Sequence, residues 1–350
     1  MATVGIIPGD GIGPEITEAT VRVLSAAAPY LSYEYIPVGH LIPGGEHDPL
    51  PDAAVAGIRR LGAALKAPLV APRRTGRIVK VRPDGDRVYP SINNAVRREL
   101  DLFANVRPIQ SLPGISSGPD LDFLIVREVS EGTYSGIEYR IGDDVAQAVK
   151  VVTRGAWERI AHFSFRLAVE QGYGRVILGH KANVLNLTDG LELEVVQEVA
   201  RQYPEVELQD MMVDALGQAI VRGAVPRAVV LLDNQYGDIL SDVAAGVTGS
   251  IGLGPGANFG ESVAVFEACH GAAPDIAGTG RANPVGLILS GAMMIRHLGD
   301  AAAADAVEAA VETALTRVRT PDLGGTATTT DVADAVVEAV RAAAPSPAQA

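Results

Sequence analysis

The chain has 350 residues, of which 47% are hydrophobic, so it is long enough for two α/β domains at ~150 residues per domain. Its formal charge of -13 disfavours nucleic acid and anionic membranes as partners, and no apolar run approaches the ~18 residues of a membrane span. With Cys269 as its single cysteine, the chain cannot form an internal disulfide, and any metal must be held by oxygen ligands. Residues 1–9 contain no basic leader, so we expect no secretory signal and a cytoplasmic location.

Strand-like apolar runs alternate with helical patterns along the chain. This alternation predicts βαβ units, a mostly parallel sheet covered by helices on both faces, and chemistry in the loops at strand ends. The strand and helix pairs are 3–8 with 15–27, 175–179 with 191–202, and 228–232 with 238–247.

Two regions depart from this alternation. Residues 73–90 are polar, basic and rich in turn formers, which predicts an exposed loop or hairpin. Near the end of the chain, helices are predicted over residues 301–318 and 331–344, joined by a turn at 320–325 and followed by a frayed tail at 345–350.

A glycine-rich loop at residues 9–15 follows the first strand and opens a helix. It does not have the GxGxxG spacing of a dinucleotide-binding turn, because the third glycine comes too early. Pro14 stands where a helix start accepts it, so the loop is interpreted as a tight turn that leads into a helix.

Acidic residues after two apolar strands are candidate metal ligands. Asp238 and Asp242 lie four apart at a helix start and share one helix face, where their mutual repulsion would suit Mg²⁺ or Mn²⁺ between them. Ordinary helix N-terminal acids are the alternative, which explains Asp238 better than Asp242. Asp214 is a candidate third ligand, although an acid at that position is commonly an N-cap.

Other polar residues next to apolar runs are ambiguous when taken singly. Arg97, Arg107 and Arg127 could hold carboxylates with their guanidinium forks, or could be surface or ion-paired arginines. Lys181, after a strand, could be a base or a solvated lysine, and Tyr134 could be a proton donor or a turn tyrosine packed on the core.

Together, six ordered blocks resemble the β-decarboxylating dehydrogenases, the family of isocitrate, homoisocitrate, isopropylmalate and tartrate dehydrogenases. The blocks are residues 7–15, 100–108, 127–138, 180–183, 237–242 and 270–283, and the resemblance runs from about residue 3 to 340. It implies an isopropylmalate dehydrogenase-like α/β fold, not a Rossmann fold, with two interleaved domains and a cleft between them. The expected domains are residues 1–98 with 248–350, on the cofactor side, and 99–247, on the substrate and dimer side.

By matching position, the resemblance also implies the site residues. Arg97, Arg107 and Arg127 would bind the malate carboxylates, and Asp238 and Asp242 would hold Mg²⁺ or Mn²⁺ with the Asp214 of a second subunit. Lys181, also lent across a homodimer, would accept the hydroxyl proton. After hydride transfer to NAD and loss of CO₂, Tyr134 would protonate the enolate that the cation stabilises.

The choice of NAD follows from residues 270–276. Asp275 can accept hydrogen bonds from a ribose diol and would repel a 2′-phosphate, whereas family members that use NADP tend to have Lys and Tyr where this chain has Asp275 and Ile276. The expected cofactor-binding residues are His270, Gly271, Asp275, Ile276, Asn283 and Asp322.

The substrate is expected to be a polyanionic hydroxy acid, because Ser91 and Asn93 match the isocitrate-type pattern for an acidic third arm. Val70 and Ala71 replace the usual threonine pair, and the loop at 73–89 is unusually long and basic. The loop favours a larger or more highly charged arm, as in homoisocitrate or a phosphonate analogue such as phosphonomethylmalate, unless it is a plain surface hairpin that contacts no ligand. An apolar pocket would be expected for 3-isopropylmalate, which is kept as a further alternative. A non-catalytic regulatory subunit is the alternative of another class, disfavoured because the catalytic set is complete.

Overall fold

The computed structural model describes residues 2–45, 47–71, 77–81, 85–112, 114–116 and 118–343. The strands are β1 Ala2–Ile7, β2 Leu31–Tyr35, β3 Ala63–Lys66, β4 Ile78–Lys80, β5 Arg87–Tyr89, β6 Ala104–Gln110, β7 Asp122–Glu128, β8 Glu138–Ile141, β9 Val145–Ala148, β10 Arg175–His180, β11 Glu207–Met212, β12 Val229–Leu232, β13 Ala257–Phe259 and β14 Ala264–Glu267. The α-helices are α1 Gly13–Ala27, α2 Asp52–Leu61, α3 Ile92–Glu99, α4 Arg154–Glu170, α5 Thr188–Ala200, α6 Val213–Val221, α7 Asn234–Thr248, α8 Val285–His297, α9 Ala301–Leu315 and α10 Thr329–Ala343. Short 3₁₀ helices cover Thr133–Ser135, Ile251–Leu253 and Pro321–Leu323.

Ten of the described strands form one sheet in the order β11-β10-β12-β7-β6-β13-β14-β3-β1-β2. Both flanks are parallel, as predicted, but the pairs β7–β6, β6–β13 and β13–β14 in the middle are antiparallel. Six of the nine pairs between these described strands are parallel, so the prediction of a mostly parallel sheet is confirmed, but it did not include the antiparallel centre. The reason is the connections, because β6–β7 and β13–β14 are joined without a helix, and a parallel pair needs a crossover that usually contains one.

Helices cover both faces of the sheet, as the alternating pattern predicted. On one half, α1, α8, α9 and α10 supply the core on one face, and α2 and α3 supply it on the other. On the other half, α4 and α5 pack opposite α6 and α7. Strand β12 shows why such strands are apolar at every position, since Val229 and Leu231 face one helix layer and Val230 and Leu232 face the other.

The largest difference from the predicted helix bounds is at the start of one helix. Helix α7 begins at Asn234, four residues before the predicted start, because the Asp233 carboxylate accepts a hydrogen bond from the Tyr236 N–H and caps the helix. The predicted hairpin at 73–90 is present as the antiparallel pair β4–β5. Residues 72–76 and 82–84 and the predicted tail at 345–350 lie outside the described residues. No helix within the described ranges is long and apolar enough to cross a bilayer.

The two halves of the sheet differ in the parts of the chain that build them. Strands β13, β14, β3, β1 and β2 come from the chain ends, and β11, β10, β12, β7 and β6 come from the middle. The sheet itself is continuous across the junction, where β6 pairs with β13. The division into residues 1–98 with 248–350 and residues 99–247 stays a prediction.

The glycine loop after β1 is held by close packing, in agreement with its interpretation as a structural turn. Gly11 has a φ of 60°, and a Cβ there would lie 2.0 Å from the Ala272 carbonyl oxygen. The buried Asp10 carboxylate accepts hydrogen bonds from the backbone N–H groups of His40, Leu41 and Val70. The loop therefore joins three segments of the half of the structure that is built from the chain ends.

Replacing Gly11 with alanine should destabilise the protein by about 3 kcal/mol, because a left-handed backbone and a backbone clash combine at that residue. The matched control is Gly44→Ala, where φ is 79° but no atom of the described residues lies within 4 Å of the added Cβ, so that about 1 kcal/mol is expected. Urea unfolding of both variants gives the difference. Equal losses in the free energy of unfolding of the two variants would show that Ala272 does not constrain the loop.

Candidate active site

A polar cleft of about 350 Å³ lies where α3, β6, β7, α7 and the segment after β14 meet. Its walls combine basic groups with amides, hydroxyls and a few acids. The lining includes Lys66, Ser91, Asn93, Arg97, Arg107, Arg127, Tyr134, Glu138, Asn234, Asp238, Glu267, His270 and Gly271.

The three arginines singled out from the sequence converge in this cleft. Arg97 comes from α3, Arg107 from β6 and Arg127 from β7, which are distant in the chain. The Arg107 and Arg127 side chains are only 8% and 2% exposed. Because a buried guanidinium must be paired, each of them needs counter-charges from the protein or from a ligand.

Neighbouring side chains hold each guanidinium in a fixed orientation. Arg127 donates to Asn234 Oδ1 at 2.7 and 3.1 Å and to Asp238 at 2.5 Å. Arg107 donates to Asn105 Oδ1 at 2.8 Å, Ser241 Oγ at 2.5 Å and Asp242 Oδ1 at 3.3 Å. Arg97 donates to Asn258 Oδ1 at 3.3 Å and Glu267 Oε1 at 3.4 Å. Such preorganised forks suit a ligand with several carboxylates.

The surroundings of Arg127 disfavour its positive charge. Burial and the neighbouring Arg97 lower the pKa of Arg127 to about 9, against the opposing pull of Asp238. An anion bound beside Arg127 would favour its charged form. The cleft is therefore electrostatically prepared for a polyanion.

Lys66 and Glu267 belong to the cleft but were not singled out from the sequence. Burial acts to raise the pKa of Glu267, yet Lys66 at 2.5 Å and Arg97 hold it well below its usual range. Glu267 thus stays ionised and anchors Arg97. The sequence signal that could have identified it is an acid that ends the apolar strand β14 directly before residues 270–283.

Asp238 and Tyr134 line one side of the cleft, and Asp242 lies one turn further along α7. Both aspartates approach Arg107, Asp238 at 3.9 Å and Asp242 at 3.3 Å, so they do share one helix face. Burial raises the pKa of Asp242, with Arg107 opposing and the like charge of Asp238 adding to the effect. The Tyr134 hydroxyl donates to Asp238 Oδ2 at 3.1 Å, and burial with that acceptor raises the tyrosine pKa.

Lys181 and Asp214 lie apart from this cleft. They pair with each other, Nζ to Oδ1 at 2.8 Å, and this bond lowers the pKa of Asp214. Across the described residues, no group of three acids, histidines or cysteines is placed to hold a metal ion. A single chain therefore brings Asp238 and Asp242 together, but not Asp214 with them.

The predicted substrate-arm residues line one end of the cleft. Ser91 Oγ accepts from the Asn94 N–H and caps α3, while the buried Asn93 Oδ1 has no hydrogen-bond partner within the described structure. Of the basic loop residues, Arg77 pairs with Glu138 at 3.3 Å and Lys80 pairs with Asp52 at 2.5 Å. Arg73, Arg74 and Arg82 lie outside the described residues.

A second cavity, of about 620 Å³, adjoins the cleft. Five of the six residues expected at the cofactor line it, namely His270, Gly271, Ile276, Asn283 and Asp322. Asp275 is exposed and is not part of this lining. His270 and Gly271 line both cavities, so a ligand in one can meet a ligand in the other.

The residues present fit the two groups that the sequence resemblance implies. For a dinucleotide, the second cavity offers the buried His270 Nε2, which has no hydrogen-bond partner among the described residues. It also offers the Asp322 carboxylate, which accepts from Asn283 at 3.0 Å and Ser250 at 2.7 Å. For a hard cation, Asp238 and Asp242 offer partly exposed carboxylate oxygens on one face.

Comparisons with known proteins agree with this geometry. A family model described as isocitrate/isopropylmalate dehydrogenase matches residues 3–336. The chain is 39% identical to isocitrate dehydrogenase [NAD] catalytic subunit 5, mitochondrial, of Arabidopsis thaliana, over 96% of this chain and 88% of that protein. It is 41% identical to the 3-isopropylmalate dehydrogenase of Archaeoglobus fulgidus, over 96% and 98%. The crystal structure of isocitrate dehydrogenase from Methylococcus capsulatus superposes with a TM-score of 0.90 at 40% identity, over 97% and 100%, which confirms the predicted fold class.

Gly237→Ala should disturb the arginine cluster without harming helix α7, because a Cβ at Gly237 would lie 2.6–2.7 Å from Arg127 Cγ and Cβ. We expect the KM for the hydroxy acid to rise about 10- to 100-fold, the equivalent of one lost charged hydrogen bond. Gly246→Ala in the same helix is the control, since within the described part of the chain no atom lies within 4 Å of its Cβ. An unchanged KM in a folded Gly237→Ala enzyme would show that Arg127 does not bind substrate.

Proposed function

The chain belongs to the isocitrate/isopropylmalate dehydrogenase family, and on that basis we propose that it oxidises and decarboxylates a 3-substituted malate with an acidic arm, isocitrate first. NAD is the proposed oxidant, and Mg²⁺ or Mn²⁺ the proposed cation. The observation that carries the proposal is the convergence of Arg97, Arg107 and Arg127 in one cleft that opens, at His270 and Gly271, into the cofactor cavity.

The polar end of the cleft supports an acidic substrate arm. An isopropyl arm could form no hydrogen bond with the Ser91 hydroxyl or the Asn93 amide that line this end of the cleft. A carboxylate arm could accept hydrogen bonds from the Ser91 hydroxyl and from the Asn93 Nδ2 group. Homoisocitrate and phosphonomethylmalate remain the alternatives with acidic arms, and 3-isopropylmalate is the apolar alternative.

The chain's own groups can carry the proton steps. The arginines would orient the carboxylates and Lys181 would accept the hydroxyl proton, while NAD, held in the second cavity, would supply the acceptor for the hydride from the same carbon. The bond between C3 and its carboxylate then breaks to release CO₂. Tyr134, whose raised pKa keeps its proton on the oxygen, donates that proton to C3 of the enolate. The cation, when bound at Asp238 and Asp242, supplies positive charge beside the reacting oxygen.

A homodimer with shared active sites is part of the proposal, because Lys181 and Asp214 lie outside the cleft of their own chain. Exposed apolar side chains beside these groups support a subunit contact there. Ile239 and Val243 on α7 are 51% and 37% exposed, and Leu187 in the loop after Lys181 is 87% exposed. Large apolar groups at that exposure are suited to burial against a second subunit.

A regulatory subunit without activity is the second candidate. The complete set of arginines, aspartates, Lys181 and Tyr134 argues against it, because a chain that only binds ligand has no need of a proton donor held on Asp238 at 3.1 Å. The cytoplasmic location is also kept as a proposal, and cell fractionation tests it.

The proposed reaction is tested by NADH formation with the purified chain, NAD and Mg²⁺ or Mn²⁺. Isocitrate, homoisocitrate, 3-isopropylmalate and phosphonomethylmalate are compared at matched concentrations, with NADP in place of NAD as the cofactor control. We expect the highest kcat/KM with isocitrate and NAD. Preference for 3-isopropylmalate would contradict the acidic-arm proposal, and no turnover of any acid would favour the regulatory subunit.

The shared site is tested with two inactive variants, Lys181→Met and Asp238→Asn, co-expressed with different tags and purified as a hybrid dimer. If each cleft takes Lys181 from the partner, the hybrid has one complete cleft and should show about half of the wild-type turnover. A hybrid as inactive as its parents would show that Lys181 serves its own chain.

A further inference from the structure

A buried ionic cluster lies outside the cleft and is not used by the proposed reaction. The Lys150 ammonium contacts Asp189 Oδ1 at 2.5 Å, Asp233 Oδ2 at 2.8 Å and Glu192 Oε1 at 2.9 Å. The Asp189 and Glu192 side chains are fully buried, and that of Asp233 is 4% exposed. Lys150 also lies 5.1 Å from the centre of the Tyr236 ring.

Two of the three carboxylates also accept hydrogen bonds from the segments that carry Lys181 and Asp238. Asp189 Oδ2 accepts the backbone N–H of Lys181 at 2.8 Å. Asp233 Oδ1 accepts the Tyr236 N–H at 2.6 Å and caps α7, the helix that carries Asp238 and Asp242. Lys150 therefore holds together the start of the Lys181 loop and the start of the metal-ligand helix.

The backbone next to Lys150 is also hydrogen-bonded to the segment that carries Tyr134. Val151 and Gly132 form a two-way bridge, with N···O distances of 2.9 and 3.3 Å. Gly132 begins the short turn that presents Tyr134. The Thr153 N–H and hydroxyl add hydrogen bonds to the Glu131 carboxylate at 2.7 and 2.9 Å.

Glu192 differs from its two neighbours in the cluster. It meets Lys150 through one oxygen, and within the described structure neither of its oxygens accepts a hydrogen bond from the elements that carry Lys181, Tyr134 or Asp238. Burial raises the pKa of Glu192 to about 8, with Lys150 opposing and Asp189 and Asp233 adding to the rise. Glu192 therefore lacks the links that Asp189 and Asp233 supply.

We propose that Lys150 is a positioning residue that sets the placement of Lys181 relative to Asp238 and Tyr134. Buried ion pairs contribute little net stability over apolar packing, whereas they can fix one arrangement of the groups that meet on them. In the proposed dimer, Lys181 serves the partner's cleft, and Asp238 and Tyr134 serve their own. Lys150 then joins the two clefts, and this part of the inference rests on the proposed function.

The first test is Lys150→Met, which keeps the side-chain length and removes the charge. We expect a kcat lower by about 10- to 100-fold, as for residues that orient ligating groups, in a protein that remains folded and dimeric. The KM for NAD should not change, because Asn283 and Asp322 line a different cavity. A folded dimer with kcat within about twofold of wild type would overturn the proposal.

Two isosteric variants, Asp189→Asn and Glu192→Gln, test the positioning role of the cluster even if Lys150→Met does not fold. Asp189→Asn leaves one acceptor oxygen where two are needed, so either Lys150 or the Lys181 N–H loses its partner. Glu192→Gln is the matched control, since it replaces an equally buried acid with its amide and removes none of those links. A drop of kcat for Asp189→Asn alone supports positioning. Equal kcat values for the two variants would reduce the cluster to a structural element.

The hybrid dimer separates the inference from the proposed function. Starting from the hybrid with one complete cleft, Lys150→Met is placed either in the subunit that lends Lys181 or in the subunit that supplies Asp238. We expect kcat to fall in both cases. A loss in one position only would overturn the link between clefts, whereas an inactive starting hybrid would contradict the shared site and not the role of Lys150.

Discussion

Three guanidinium groups in one largely buried cleft impose the main constraint on this structure. Each needs compensating charge or acceptors, and the fold supplies them from distant segments: Asn234 and Asp238 from α7, Asn258 and Glu267 from the β13–β14 hairpin. The antiparallel centre of the sheet brings these segments together, since β6 lies between β7 and β13. The departure from a parallel sheet is thus what places Arg107 beside Arg127.

The same constraint explains why the cleft suits an anion. Arg127 donates hydrogen bonds to Asp238 and to the neutral Asn234 amide. Its pKa falls to about 9 because burial and Arg97 disfavour its charge. A bound polycarboxylate supplies the missing negative charge, and a divalent cation would relieve the proximity of Asp238 and Asp242. Substrate and cation are therefore expected to bind more strongly together than separately, because each compensates charge that the other leaves.

Much of the fold could be predicted from local signals in the sequence. The alternation of strands and helices and the turn-rich hairpin at 73–90 depend on neighbours in the chain. The antiparallel pairs at the centre were missed because strand direction depends on how the chain returns, which apolar composition does not encode. The start of α7 was misplaced because Asp233 was not recognised as its cap.

The site could be predicted only in part, because contacts between residues that are distant in the chain cannot be read from local sequence signals. The arginines, Ser91, Asn93 and Asp238 do converge in the cleft, but singly each had an ordinary alternative, and only the order of the blocks joined them. Glu267, Asn258 and Lys150 were not identified, since their partners lie up to 170 residues away and a buried charge cannot be distinguished from a surface charge in one sequence. The roles assigned to the site residues stay predictions.

The most direct measurement is the ratio of CO₂ to NADH formed from the malate that the enzyme turns over, with Mn²⁺ present and after its removal by a chelator. Oxidative decarboxylation at a cation held by Asp238 and Asp242 predicts equal amounts of both products with Mn²⁺ and loss of both without it. NADH formed without CO₂, or turnover that survives chelation, would contradict the account.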